Sequence, residues 1–300
     1  MNTVSHSSEV FFNNFKHLKI EVRPEQRAVW VYLDSLPTPC ITRTLLSELK
    51  YFQQQLILYK GHLPFENELV KIDYHIVTSH YPVFSFGGDL KYFFECIDSR
   101  DEDGLRNYAY SCIDTMYPNL NGFDLGITTI SLIHGNALGG GFEAALSSNV
   151  LIAEKQAEMG FPEVLFNLFP GMGAYNLVAQ RVSPAMAEEM ITSGRTYSAE
   201  ELHEAGLIDM LAEEGQGVFA VDNFIKGEFR HHNMQRALYK VRNIVNPVEY
   251  DKLIAICDVW VESALALKEK DIRTMKRLVR SQNRFVGHQK STSTAIAASL

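Results

Sequence analysis

Apolar positions along this chain follow two alternating periods. Leu18–Val22 and Ala28–Leu33 are short β-rich runs on either side of Arg23-Pro24-Glu25-Gln26, the pattern of an early hairpin. Between Thr42 and Tyr59 the residues Leu45, Leu46, Leu49, Phe52, Leu56 and Leu58 fall near helical spacing behind Thr42, a suitable cap. Val70–Thr78 reads as a strand, Leu90–Tyr117 as helix with a polar break around Asp101–Gly104, and Gly126–Ile133 as a buried β-branched strand. The pattern turns helical from Gly139 to Leu146, returns to a strand at Asn149–Ala153, and is dominated by helices from Ser183 onward. Strand and helix alternate, which predicts an α/β protein. The polar, Gly-bearing stretch Glu213–Gly217 is the expected boundary between a 1–214 α/β core and a helical 215–300 region, and Ser291–Leu300 forms a mild Ser/Thr/Ala tail.

Composition narrows the function classes. A chain of 300 residues with 46% apolar content, 18 Phe and 13 Tyr buries a large core and is far from a disordered composition. A net charge of −8 disfavours nucleic acid and anionic membrane and points to a small-molecule or protein partner. Cys40, Cys96, Cys112 and Cys257 form no CxxC pair, so neither a zinc ribbon nor a disulfide framework is expected, and free thiols in a reducing compartment fit best. Met1–Val10 has neither a basic nor an apolar leader region, and no run approaches the roughly 20 apolar residues of a membrane span. The expected location is the cytoplasm.

Three segments carry candidate chemistry. His134-Gly135-Asn136-Ala137-Leu138-Gly139-Gly140-Gly141-Phe142-Glu143 runs from a strand through a triple glycine into a helix. Unpaired N–H groups at a helix start favour an anion or a developing oxyanion; a tight turn with no ligand explains the glycines equally well. Ser85-Phe86-Gly87-Gly88-Asp89 sits between another strand and helix and offers a second exposed N–H, with Asp89 also suited to capping the helix at Leu90. In Gly160-Phe161-Pro162-Glu163-Val164-Leu165-Phe166-Asn167-Leu168-Phe169-Pro170-Gly171-Met172-Gly173 one carboxylate stands in apolar surroundings, where desolvation raises its pKa toward proton-transfer range. Taken singly, Glu163 fits a turn and Glu143 fits the first turn of a helix.

Taken together, these segments closely resemble the enoyl-CoA hydratase/isomerase (crotonase) superfamily, over roughly Ala28 to Ile208, with Ser193–Glu201 and Ala205–Asp209 resembling its later elements. The resemblance implies a crotonase spiral of ββα units with a helical C-terminal region, assembled as a trimer or a dimer of trimers. It also implies a backbone oxyanion hole at Gly88 and Gly140, acid/base carboxylates at Glu143 and Glu163, and no metal or other cofactor. Within the superfamily the chain looks more like the diffusible signal factor synthases of bacterial quorum sensing, through Phe-Gly-Gly-Asp-Leu, Gly-Gly-Gly-Phe-Glu-Ala-Ala-Leu-Ser, the Pro-Glu-Val-Leu-Phe-Asn segment and the basic Arg273–Arg280. Gly88 and Phe142 stand where ordinary hydratases carry smaller or different residues.

Such a synthase is expected to dehydrate a 3-hydroxyacyl chain on acyl carrier protein to the cis-2-enoyl thioester and hydrolyse it to the free acid. Glu163 is assigned to the C2 proton and Glu143 to the C3 oxygen, with the reverse assignment open. Phe86, Leu138, Met172 and Trp260 are candidate substrate contacts, and Ile254–Leu267 is either an acyl-pocket wall or plain packing core. The basic helix Lys268–Arg284 either docks an acidic carrier protein or is a solvated face. The ten histidines, with His231-His232 the one adjacent pair, read as ordinary residues. Two alternatives stand beside this reading: a CoA-dependent hydratase or isomerase, and a crotonase-fold protein that binds the receiver domain of a sensor histidine kinase.

Overall fold

β-Branched runs buried on both faces form the centre of the molecule, as parallel strands covered by helices require. The computed structural model describes residues 14–35, 39–66, 68–228 and 231–280. The Met1–Val10 leader question, the Ser291–Leu300 tail and positions 281–284 of the basic segment lie outside them.

The first sheet has six strands in the order β1 (Leu18–Arg23), β2 (Ala28–Leu33), β5 (Tyr74–Ser79), β7 (Thr128–Ile133), β9 (Val150–Glu154) and β12 (Met210–Ala212). The β1–β2 pair is an antiparallel hairpin with Ile20 opposite Val31, and every later pairing in this sheet is parallel. A second sheet of four short strands runs in the order β11 (Thr196–Ser198), β10 (Glu158–Gly160), β8 (Asn136–Leu138) and β6 (Val83–Ser85). Each turn of the chain therefore lays one strand in the first sheet and the next in the second: β5 then β6, β7 then β8, β9 then β10.

Helices follow these strand pairs. α1 (Arg43–Leu58) is capped by Thr42, whose side chain accepts from Leu45 N at 3.1 Å. Asp89 caps α2 (Leu90–Ser99) by accepting from Tyr92 N at 3.1 Å. The polar break after it is a left-handed Arg100 followed by Asp101, which caps α3 (Glu102–Leu120). α4 (Gly140–Leu146), α5 (Ala174–Arg181), α6 (Pro184–Ser193) and α7 (Ala199–Glu204) complete the α/β part. α8 (Gly217–Glu228), α9 (His232–Val245), α10 (Tyr250–Leu265) and a helical segment over 269–280 follow.

Alternation along the central strands divides the core. Trp30, Tyr74, Ile76, Ile130, Leu132, Val150 and Ile152 face Val221 and Ile225 of α8. The opposite face packs on a much larger cluster that reaches α1, α3, α4 and α10. At the expected boundary, Glu154 of β9 accepts from Gly215 N at 2.9 Å and Gly217 N at 2.8 Å, so the start of α8 is bonded to the first sheet.

One expected element is two. Val70–Thr78 divides into β4 (Glu68–Lys71), which folds back antiparallel on β3 (His62–Phe65), and β5, which joins the first sheet. Between them Asp73, 2% exposed, pairs with Arg27 and Arg236 at 2.7 Å each. β-Branched and aromatic residues stand on both sides of Asp73, so β propensity alone does not separate the two strands; Asp73 itself marks the break.

Candidate active site

Parallel pairing of β6 and β8 brings the two glycine turns side by side. A Cβ built on Gly87 would lie 2.7 Å from Leu138 O, and one on Gly140 would lie 3.4 Å from Gly88 N. Gly140 opens α4, and the first N–H groups of a helix have no acceptor within it. Two peptide N–H groups from adjacent strand ends thus border one small space, the arrangement of an oxyanion hole.

Both carboxylates reach that space. Glu143, one turn into α4 and 1% exposed, accepts through Oε1 from Met172 N at 2.8 Å and Ala174 N at 3.0 Å. Its other oxygen lies 3.8 Å from where a Gly140 Cβ would stand. Burial pushes its pKa up to about 7, against the downward pull of the two N–H donors. Glu163 sits on a 3-10 turn, Pro162–Phe166, just after β10. Its Oε1 lies over Gly139, and its buried Oε2 has no hydrogen-bond partner among the described residues. Burial, together with the negative charge of Glu143, pushes its pKa up to about 8. Glu143 has two well-formed N–H donors that favour a carboxylate, whereas Glu163 is aided only by its own backbone N–H, so a single proton held by the pair rests on Glu163.

A cavity of about 300 Å³ opens from this point. Phe86, Leu138, Met172 and Trp260 line it together with Gly88, Gly140, Glu143 and Glu163, so all eight candidate residues meet around one space. Trp260 is held edge-on to Phe93 with ring centroids 5.0 Å apart and lies so close to Gly171 that a Cβ there would collide with it. The proposed wall Ile254–Leu267 narrows to that one residue. Val259 is exposed, and Ile254, Leu265 and Leu267 pack against the core. Leu278 of the 269–280 segment also reaches the cavity.

The sequence reading passed over the far end of this cavity, where Gln53, His75, Thr115 and Asn119 line the wall. His75 is a correction to the treatment of every histidine as ordinary: it is fully enclosed beside Asn119, with no well-formed hydrogen bond at either ring nitrogen within the described residues. No local pattern marks it, since it stands within a β-branched strand. His232, from the adjacent pair, stacks on Tyr74 at 5.3 Å and does not line the cavity. The four cysteines are free and buried. Burial pushes the Cys40 and Cys257 thiols to about 12 and raises those of Cys96 and Cys112, which argues against a thiolate nucleophile. Among the described residues no cluster of His, Cys, Asp or Glu is placed to hold a metal ion, and no helix is long and apolar enough to cross a membrane.

Comparison with known proteins gives one family. The family model described as enoyl-CoA hydratase/isomerase matches residues 69–219, half of the chain. The fatty acid oxidation complex subunit alpha of Pseudomonas syringae pv. tomato is 32% identical over 158 residues, which are 51% of this chain and 21% of that subunit. A probable enoyl-CoA hydratase of Bacillus subtilis is 29% identical over 152 residues, 51% of this chain and 57% of that protein. The chain thus spans about a fifth of the length of the oxidation-complex subunits it matches. Among solved structures, an enoyl-CoA hydratase/isomerase from Xanthobacter autotrophicus aligns with a TM-score of 0.71 at 18% identity, covering 91% of this chain and 96% of that one. Pseudomonas aeruginosa DspI aligns with a TM-score of 0.67 at 22% identity, covering 80% and 92%. The shared architecture is the crotonase fold of two stacked sheets with a helical C-terminal region.

Proposed function

The chain belongs to the enoyl-CoA hydratase/isomerase family, and from that premise we propose that it moves water across the C2–C3 bond of an acyl thioester. The observation that carries this reading is the meeting of Glu143 and Glu163, both held well above the ordinary carboxylate range, beside the Gly88 and Gly140 N–H groups.

In the hydration direction the Glu143 carboxylate takes a proton from water as its oxygen bonds to C3. The electron pair of the C2–C3 double bond moves toward the thioester carbonyl, whose oxygen the two N–H groups hold, and Glu163 then delivers its proton to C2. Dehydration reverses each step: Glu163 removes the C2 proton, and Glu143 protonates the departing C3 hydroxyl. The resting proton on Glu163 suits hydration directly, whereas dehydration draws on the form with the proton on Glu143.

The finer reading is a synthase of a cis-2-unsaturated fatty acid signal acting on acyl carrier protein. Its support is the resemblance of the Gly-Gly-Gly-Phe-Glu and Pro-Glu-Val-Leu-Phe-Asn segments to that branch. Release of the acid requires a second use of the same hole: water adds to C1, the N–H groups hold the tetrahedral oxyanion, and the carrier thiol leaves with a proton. Arg277 and Arg280, exposed and three residues apart on one helix face, supply a surface for an acidic carrier. The second reading, a CoA-dependent hydratase, is favoured by the names of the curated relatives. The apolar positions Met234, Leu238, Val241 and Val245 on α9 are about half exposed or more and support self-association, as a trimer or a dimer of trimers. Docking to a sensor-kinase receiver domain is a separate proposal, tested by whether a variant lacking both glutamates still binds it.

Mass spectrometry of products from 3-hydroxydodecanoyl thioester on carrier protein, and separately on CoA, decides between the two readings. Free cis-2-enoic acid from the carrier substrate establishes the synthase. A thioester-bound trans-enoyl product, or reaction on CoA alone, assigns the chain to the CoA-dependent hydratases.

A further inference from the structure

His75 lies 1% exposed on β5, between Phe52 at 5.9 Å and Phe123 at 5.0 Å between ring centroids and within hydrogen-bonding range of the Asn119 side chain, and neither ring nitrogen makes a well-formed hydrogen bond within the described residues. Uncompensated burial of polar groups is costly, and native structures seldom leave one unpaired. The neighbouring Asn119 is a second under-bonded group at the same end of the cavity. Asn119 Nδ2 donates to Ser147 Oγ at 3.0 Å and Ser148 Oγ at 3.1 Å, while its Oδ1 is buried without a partner. The amide orientation follows from the serine: Ser147 gives its own proton to Ala144 O at 2.6 Å and must accept from Asn119. Gln53, whose Nε2 donates to Thr115 O at 2.9 Å, completes the polar end.

This end faces the same cavity as the glutamates. Gly140, Glu143, Ala144 and Ser147 all line it, a stripe along one side of α4. At ~1.5 Å of rise per residue the stripe runs about 10 Å from the Gly140 N–H to the level of Asn119. An extended chain advances ~1.2 Å per bond, taking 3.3–3.6 Å for three bonds of backbone. That span corresponds to about eight or nine bonds. The walls between are apolar, including Leu45, Leu46, Leu49 and Met116.

We propose that His75 and Asn119 form a binding site for a hydroxyl group carried on the acyl chain about nine bonds from the thioester carbonyl. The proposal rests on the reading of this cavity as an acyl-thioester site. A hydroxyl both donates and accepts, matching a neutral imidazole, which offers one of each, and the Asn119 Oδ1 acceptor. Burial holds the His75 pKa down at about 4, against the upward pull of the neighbouring Asn119 side chain, so the ring is neutral near pH 7. Among the described residues the cavity lining contains no Lys or Arg, so a distal carboxylate would find no counter-charge from them. An alkyl terminus would cover the orphan groups and leave them unpaired. A site built to bond a hydroxyl discriminates strongly against the analogue lacking it.

The test uses unreactive, neutral probes: the N-ethyl amides of 10-hydroxydecanoic acid and of undecanoic acid, which match in length, titrated calorimetrically into the full chain. The expected result is about ten-fold tighter binding of the hydroxylated amide, with the preference reversed in His75→Phe and partly kept in His75→Gln. Equal affinities, tighter binding of undecanoic amide, failure of both to bind, or a contrast unchanged in His75→Phe overturn the proposal. The wild-type contrast stands without either variant, should one fail to fold. Equal amide affinities in a protein that turns over acyl thioesters remove the hydroxyl site and leave the proposed reaction. The contrast without turnover removes the reaction and leaves the site.

Discussion

Glu163 Oε1 occupies the space that a Cβ on Gly139 would fill. Gly139 itself has φ 52° and ψ −127°, a backbone region closed to residues with a side chain. One position therefore sets both the turn into α4, which presents the Gly140 N–H, and the room for the second carboxylate. Gly139→Ala should lower kcat at least about a hundred-fold and cost roughly 1–3 kcal/mol of stability. Steady-state kinetics beside a melting curve checks this; an unaltered kcat would mean that Glu163 does not need this position.

The two raised carboxylates set the pH dependence. The working form carries one proton on the pair, so kcat/KM should fall below about pH 7, where both are protonated, and again above about pH 8, where both are ionised. Ordinary carboxylates would put the acidic limb near pH 4.5. A pH–rate profile with its acidic limb there would show that burial does not tune this pair.

The same shifts weaken the fold as pH rises from about 4.5 to about 8. A carboxyl whose folded pKa is raised binds more protons folded than unfolded, so its contribution is fully present below about pH 4.5 and is lost as pH rises through about 8. Glu163→Gln cannot ionise, and its melting temperature should rise relative to the parent progressively between pH 5 and pH 8, by a few degrees at the upper end. Scanning calorimetry at several pH values measures the difference; a gap that is constant with pH would contradict it.

How much of this was legible in the sequence depends on whether a residue's role leaves a local pattern. Thr42, Asp89 and Asp101 announce helix starts by residue type, and each accepts the N–H that its position implies. β7 is legible as a β-branched run and β9 as a short, nearly continuous apolar one, as buried parallel strands require. The second sheet escaped notice because β6, β8, β10 and β11 have three residues each, too few for a period to show. Glu143 and Glu163 stood out through the glycines and prolines around them. His75 and Asn119 did not, because burial beside a cavity is fixed by distant elements: Phe52 of α1, Asn119 of α3 and Phe123 just beyond it close over His75 from along the chain. Trp260 was identified within its segment, but which of its helical neighbours faced the cavity was settled only by the packing of α10 on α3.

Carrier recognition is separable from chemistry. Arg277 and Arg280 are exposed, whereas Lys276 is committed to the face of Phe94 at 3.7 Å and Arg273 to Glu269 at 3.0 Å. Arg277→Glu with Arg280→Glu should raise KM for carrier-bound substrate about ten-fold, leave kcat within two-fold, and lose its effect at high salt. An unchanged KM would remove this face as the docking surface.

The most direct test of the acid/base account is deuterium uptake at C2 of a 3-hydroxyacyl thioester in heavy water, followed by mass spectrometry for the parent protein, Glu143→Gln and Glu163→Gln. The account predicts uptake with the parent protein, its loss by a hundred-fold or more in Glu163→Gln, and residual uptake in Glu143→Gln, where the C2 base remains. Uptake at the parent rate in Glu163→Gln, or none with the parent protein, would contradict it.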